Sequence, residues 1–188
     1  GDGPGGDTNG GGFSYHRSAN PVDPPVADEQ ELFQGMLYFS KDDYADWTLG
    51  ANQDRITDEV WITRADKRGL FNIRFENEYE YDRDHGDSPA GTEWAFGATS
   101  HVSASDYDVW VDSVWYPPSI WGPPSMVGNW MSLHLVEEDL YYDVYFEDWT
   151  EGDGEGDTNG GGFSYYRSVE PVNPPTDPQA YKEYLQAE

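Results

Sequence analysis

Residues 156–175 read GDTNGGGFSYYRSVEPVNPP, and residues 6–25 read GDTNGGGFSYHRSANPVDPP. The copies lie 150 residues apart and differ only at His16/Tyr166, Ala19/Val169, Asn20/Glu170 and Asp23/Asn173. A glycine-rich run of this length does not recur through composition alone, so the pair marks a repeat boundary. Each copy has a loop (GDTNGGG), a short extended run (FSYxRS) and a proline-rich exit. Alternate residues of an extended run point to opposite faces. Phe163, Tyr165 and Arg167 therefore share one face, as do Phe13, Tyr15 and Arg17 in the first copy. The mismatch within the run, His16 against Tyr166, falls on the serine face. The Phe/Tyr/Arg face is expected to be packed and the serine face tolerant.

One β-sandwich takes about 100–150 residues. The chain then holds one such domain, residues 26–168, with the second copy as its last strand. Residues 1–25 read as a repeat-copy strand and proline-rich linker, and 169–188 as a linker and short helix. The first copy has no second domain of its own to complete. It is the tail of a preceding domain in a tandem array, or it pairs with a neighbouring subunit by strand addition, or it is a disordered spare. A disordered tail has no use for a Phe/Tyr face, which ranks the first two above the third.

Charge bounds the partners. Ten Lys and Arg stand against 37 Asp and Glu, a net charge of −27. That argues against nucleic acid and against anionic membrane surfaces. It fits a protein kept soluble in high salt or bathed in divalent cations. With no cysteine, disulfides and thiolate metal sites are excluded. No run of 18 apolar residues is present, so membrane insertion is not expected. The chain begins inside a repeat motif with no visible signal peptide, which reads as a mature product or an excerpt. Aromatic residues reach 16%, and aromatic-rich sequence punctuated by Gly and Pro suits sheets.

Along the chain, GMLYFS carries Leu37 and Phe39 as a first strand, and VWITR (60–64) is a short second one. The clearest alternation is GLFNIRFENEYEY (69–81). It predicts one half-buried strand with Phe71, Ile73, Phe75, Tyr79 and Tyr81 inward and an acidic face outward. EWAFG (93–97) is a short strand, and YDVWVDSVW (107–115) alternates again through Val109 and Val111. WMSLHL (130–135) and YYDVYFEDW (141–149) flank the turn VEEDL as a hairpin. Met131, Leu133 and Leu135 face the core there, opposite Tyr142, Val144 and Phe146. DPQAYKEYLQAE (177–188) is the one credible helix, capped by Asp177 with Pro178 at its first position. About eight strands and almost no helix give an all-β fold, an antiparallel β-sandwich of jelly-roll-like or Ig-like kind with extended Gly/Pro-rich ends.

Three stretches together, ANQDRITDEVWITRADKRGLFN (51–72), SPAGTEWAFG (88–97) and LYYDVYFEDWT…GGGFSYYRS (140–168), resemble a family of secreted bacterial β-sandwich modules. Such modules sit in large extracellular multi-domain proteins. The resemblance covers most of residues 36–168. It implies a module role and an extracellular or cell-surface setting, and it brings no catalytic residues with it.

Several loops are candidate sites. Asp153, Glu155, Asp157 and Asn159 place oxygen ligands at every second residue, the spacing with which a flexible loop wraps Ca²⁺. The match is partial, with no Gly at the sixth position and no Glu at the twelfth. Asp82, Asp84 and Asp87 form a second acidic loop. For both, the alternative is a solvated acidic turn. Trp115, Tyr116, Trp121 and Trp130 form the best candidate platform for a sugar, since sugar rings stack on flat exposed aromatics. The alternative is that these rings cap the end of the sandwich. His16, His85, His101 and His134 are scattered and sit in no motif, and no organic cofactor or enzymatic role is expected. The function expected first is a structural module of an extracellular filament or surface array. Copies of itself, or neighbouring repeat domains, would join head to tail by strand addition, covering a sheet edge. The runner-up is a carbohydrate-binding module for extracellular glycans, calcium-dependent or not.

Overall fold

The computed structural model describes residues 32–79, 88–115, 122–150 and 160–176. The chain divides into two units, residues 1–34 and 35–188. The described strands all belong to the second. They are β1 (Met36–Lys41), β2 (Asp54–Arg55), β3 (Trp61–Arg64), β4 (Leu70–Asn72), β5 (Thr92–Phe96), β6 (Trp130–Leu135), β7 (Leu140–Trp149) and β8 (Phe163–Ser168). One short helix, α1 (Trp110–Trp115), and four single 3-10 turns complete the described elements.

The strands form two antiparallel sheets, one ordered β1-β8-β7-β6-β5 and the other β2-β3-β4. This is the all-β, sandwich-like architecture that the aromatic-rich alternation predicts. The hairpin stands as expected, with Met131 opposite Val144 and Leu133 opposite Tyr142. Met131, Leu133, Leu135, Tyr142, Val144 and Phe146 all face inward and are buried. Ile62 and Leu70 of the small sheet and Trp110, Val111 and Val114 of α1 join them in one core. The second repeat copy supplies β8, hydrogen-bonded to β1 on one side and β7 on the other. It lies inside the sheet rather than at its edge. The register with β7 shifts between Phe146 and Asp148. The extra residue of such a bulge inverts the alternation. Trp149, rather than Asp148, is thereby turned inward, where its ring lies 6.2 Å from that of Phe163.

Two expectations are corrected. The long strand over 69–81 ends at Asn72. The Asn72 side chain accepts from the amides of Trp61 and Arg74 and donates to the carbonyls of Glu59 and Ala90. Its backbone amide donates to Glu76 Oε2 at 2.6 Å, and its carbonyl accepts from the amides of Phe75 and Glu76. Asparagine thus offers the backbone a turn in place of a ladder. Phe75, expected inside, is 61% exposed and lines a cleft of about 430 Å³ with Val60, Ala90, Gly91 and Glu138. Residues 80 and 81 lie outside the described residues. The second correction is at 107–115, where Trp110–Trp115 is helical. Trp110, Val111 and Val114 are spaced for one helix face, and a run this short fits either period. The helix expected at 177–188 lies outside the described residues.

Leu133→Ala is expected to cost about 2–5 kcal/mol through the cavity it leaves. Phe75→Ala should stay within about 0.5 kcal/mol, as exposed positions do. Urea denaturation of the two variants checks this, and comparable losses would return Phe75 to the core.

Candidate functional site

The repeat copy is held by a socket built from both sheets. The chain has few cations, yet Lys41, Arg64 and Arg167 are 2%, 3% and 5% exposed. Each follows a core residue by two positions in its strand (Phe39, Ile62, Tyr165), so the alternation of an extended chain carries it inward. A buried charge is tolerated only when paired or hydrogen-bonded. All three meet that need on or around β8.

Arg167 reaches across to β2. Its Nε donates to Asp54 Oδ2 at 2.6 Å and its Nη2 to Asp54 Oδ1 at 3.0 Å, a two-pronged contact. The Tyr165 hydroxyl donates to the same Asp54 Oδ2 at 2.7 Å. Burial opposes the charge on Arg167, but Asp54 overrides it and keeps the guanidinium pKa above its ordinary value. Burial, and then the Asp54 carboxylate, push the Tyr165 hydroxyl well above the usual tyrosine range. The geometry is that of a charge-assisted fork, among the strongest of protein hydrogen bonds.

The glycines are gripped next. Arg64 Nη1 donates to the Gly162 carbonyl at 2.9 Å and Nη2 to that of Thr150 at 3.0 Å. Its guanidinium lies 3.7 Å from the centre of the Trp149 ring. Desolvation lowers its pKa to about 10. Lys41 Nζ donates to the Gly161 carbonyl at 3.2 Å, and burial lowers its pKa too. Asp43 Oδ1 accepts from the Gly162 amide at 2.9 Å, and the Tyr44 amide donates to the Gly160 carbonyl at 2.6 Å. Gly160 and Gly161 have φ of +62° and +70°. A Cβ at Gly161 would be driven into the Ala65 carbonyl, and one at Gly160 or Gly162 into Asp43. Gly160 and Gly161 therefore require glycine for space as well as for backbone conformation, and Gly162 for space alone.

The packed face is as expected: Phe163 and Tyr165 are buried, each 5.6 Å ring to ring from Phe39. Tyr166 turns to the outer face, against Tyr38 at 4.9 Å. Direct pairing then continues from Tyr166 to Tyr145 and from Tyr145 to Trp130, so four aromatic residues lie in one row across β1, β8, β7 and β6. Three strand spacings make that row about 14 Å long. Farther along the same face, His134 stacks on Tyr141 at 4.3 Å and touches the carboxylates of Glu93 and Asp139 at 3.3 and 3.2 Å.

Of the other candidates, Phe13, Tyr15 and Arg17, the acids Asp153, Glu155, Asp157 and Asn159, and the acids Asp82, Asp84 and Asp87 lie outside the described residues, as do Tyr116, Trp121 and the side chain of Trp115. Among the described residues no group of three or more His, Asp or Glu is placed to hold a metal. No helix among them is long and apolar enough to cross a membrane. Sequence reasoning missed Asp54, Asp43, Arg64 and Lys41. The available signal was a rare cation in phase with core residues in FSK and VWITR. No protein-family model, curated protein or solved structure matches this chain.

Arg167→Ala leaves Asp54 buried without its counter-ion and is expected to cost about 3–5 kcal/mol, read as a lowered denaturation midpoint. The second prediction concerns pH. Because the folded-state pKa of Tyr165 is raised, its contribution is whole below the unfolded tyrosine value near 10 and falls as pH rises above it. Tyr165→Phe should therefore lose less stability than the parent between about pH 9 and pH 11. An unchanged slope in denaturation at the two pH values would remove Tyr165 as a source of alkaline lability.

Proposed function

We propose that this domain is a structural module of an extracellular filament or surface array, joined head to tail to its neighbours through the GGGFSYxRS segment. One observation carries the reading. Residues 160–165 and 167 are buried, and the first copy repeats every one of them: Gly10, Gly11, Gly12, Phe13, Ser14, Tyr15 and Arg17. The differences fall only where the second copy is half-exposed or exposed, at Tyr166, Val169, Glu170 and Asn173. The first copy thus meets every demand that the socket makes of a closing strand, the glycine positions included. Those demands exist only inside a domain of this kind. The acidic composition supports a setting rich in salt or divalent cations, where self-repulsion is screened.

A second reading has its own observation. The row Tyr38, Tyr166, Tyr145 and Trp130 presents four rings on one sheet face, and aromatic faces flanked by hydroxyls and carboxylates suit sugar rings. Trp130 is the member that the sequence names for this role.

Electron microscopy of native material, with its intact mass, tests the first reading. Ordered assemblies of units near 21.2 kDa, or a far larger covalent array, are expected. Isolated particles of that mass would remove it. The double substitution of Phe163 and Tyr165 by Ser should weaken domain folding or inter-domain joining, and unchanged melting with unchanged assembly would count against the reading. A glycan panel tests the second reading: binding lost at least tenfold in Trp130→Ala would favour it, and a blank panel would end it.

A further inference from the structure

A strand held by backbone hydrogen bonds on both sides is replaced at little cost by another with the same inward residues. We propose that the slot between β1 and β7 accepts residues 10–18 of a second copy of this chain in place of residues 160–168. The proposal rests on the module reading and names its partner and its site.

The register follows from that of β8. Phe13 would stand opposite Lys41 and Trp149, Tyr15 opposite Phe39 and Phe146, and Arg17 opposite Leu37 and Val144, as Phe163, Tyr165 and Arg167 do. The Asp54 carboxylate would receive the Arg17 guanidinium and the Tyr15 hydroxyl. Lys41 and Arg64 would donate to the carbonyls of Gly11 and Gly12, as they do to Gly161 and Gly162. His16 would take the place of Tyr166 beside Tyr38, on the outer face, where a smaller aromatic ring fits without disturbing the core.

Stoichiometry favours exchange between chains. Seventeen residues, 19–35, separate the first copy from β1. Such a segment reaches at most about 60 Å, enough for the first copy to extend to a neighbour's slot. Each chain brings one slot and two strands that fit it, so one strand is always left to be donated. Donation joins unlike surfaces, the arm of one chain and the slot of the next, and such contacts propagate without closing. The tether gives β8 a high effective concentration at its own slot. Exchange therefore prevails where neighbours are crowded, or where β8 is disabled.

The test disables each copy in turn in the full chain. Gly161→Ala drives a Cβ into the Ala65 carbonyl and should expel β8. The variant is expected to keep native far-ultraviolet circular dichroism, but with a mass in multiples of 21.2 kDa by light scattering. Adding Gly11→Ala should abolish that fold, and a synthetic peptide of residues 6–25 should restore it where a scrambled peptide does not. Gly11→Ala alone should melt like the parent and lose concentration-dependent association. A Gly161→Ala chain that is unfolded, or folded as a monomer, overturns the proposal, as does a peptide without effect. The two readings fail separately. Native material without ordered arrays, beside the variant behaviour above, removes the module reading and leaves the exchange. Arrays in native material, beside an unfolded Gly161→Ala chain, do the reverse.

Discussion

Three buried cations meeting one strand set the terms for this domain. Arg167 ties β8 to Asp54 in the small sheet, Arg64 ties the small sheet to Gly162, and Lys41 ties β1 to Gly161. In a chain of net charge −27, positive charge is scarce, and the fold places these three groups where water is excluded. A buried pair does not stabilise simply by being charged, since desolvation offsets most of the Coulombic gain. Its larger effect is discrimination. A strand shifted by one residue would leave Asp54 buried without Arg167 and Tyr165, an error worth several kcal/mol. The Arg167–Asp54 pair therefore fixes the register of the strand in the slot.

The glycines make the same selection by shape. Their backbone freedom in the unfolded chain is an entropic cost, and folding accepts it because the turn passes against Ala65 and Asp43 with no room for a side chain. Apolar packing then completes the slot, with Phe39, Phe146 and Trp149 around Phe163 and Tyr165. A burial of this kind is non-directional, so the rings supply adhesion and the polar grips supply uniqueness.

The closing strand belongs to the last part of the domain yet lies inside the sheet, between β1 and β7. Among the described residues C-terminal to β7, the buried ones are gathered in one short contiguous segment, 160–167. That segment is portable in a way that a dispersed core is not. In the function proposed above, a second copy elsewhere in the chain would link domains, with affinity from main-chain pairing and specificity from the Phe/Tyr/Arg pockets.

The sequence by itself determined the strands whose alternation is undisturbed: the hairpin over 130–149, the short runs at 36–41 and 61–64, and the packed face of FSYYRS. It also marked the repeat itself. Period-two patterning is a local property, so these elements are legible without knowledge of what covers them. Only the tertiary structure decided the rest. Asn72 ends an alternation that continues in the sequence, because its side chain finds two carbonyls and the Trp61 amide brought near by other segments, beside the amide of Arg74 two residues on. Trp110–Trp115 becomes helical because one side of it meets the core. Asp54 looks like any other acid among 37 until β2 sets it opposite Arg167, 113 residues away. A charge is read locally as solvated, and only long-range packing turns it into the partner of a buried strand.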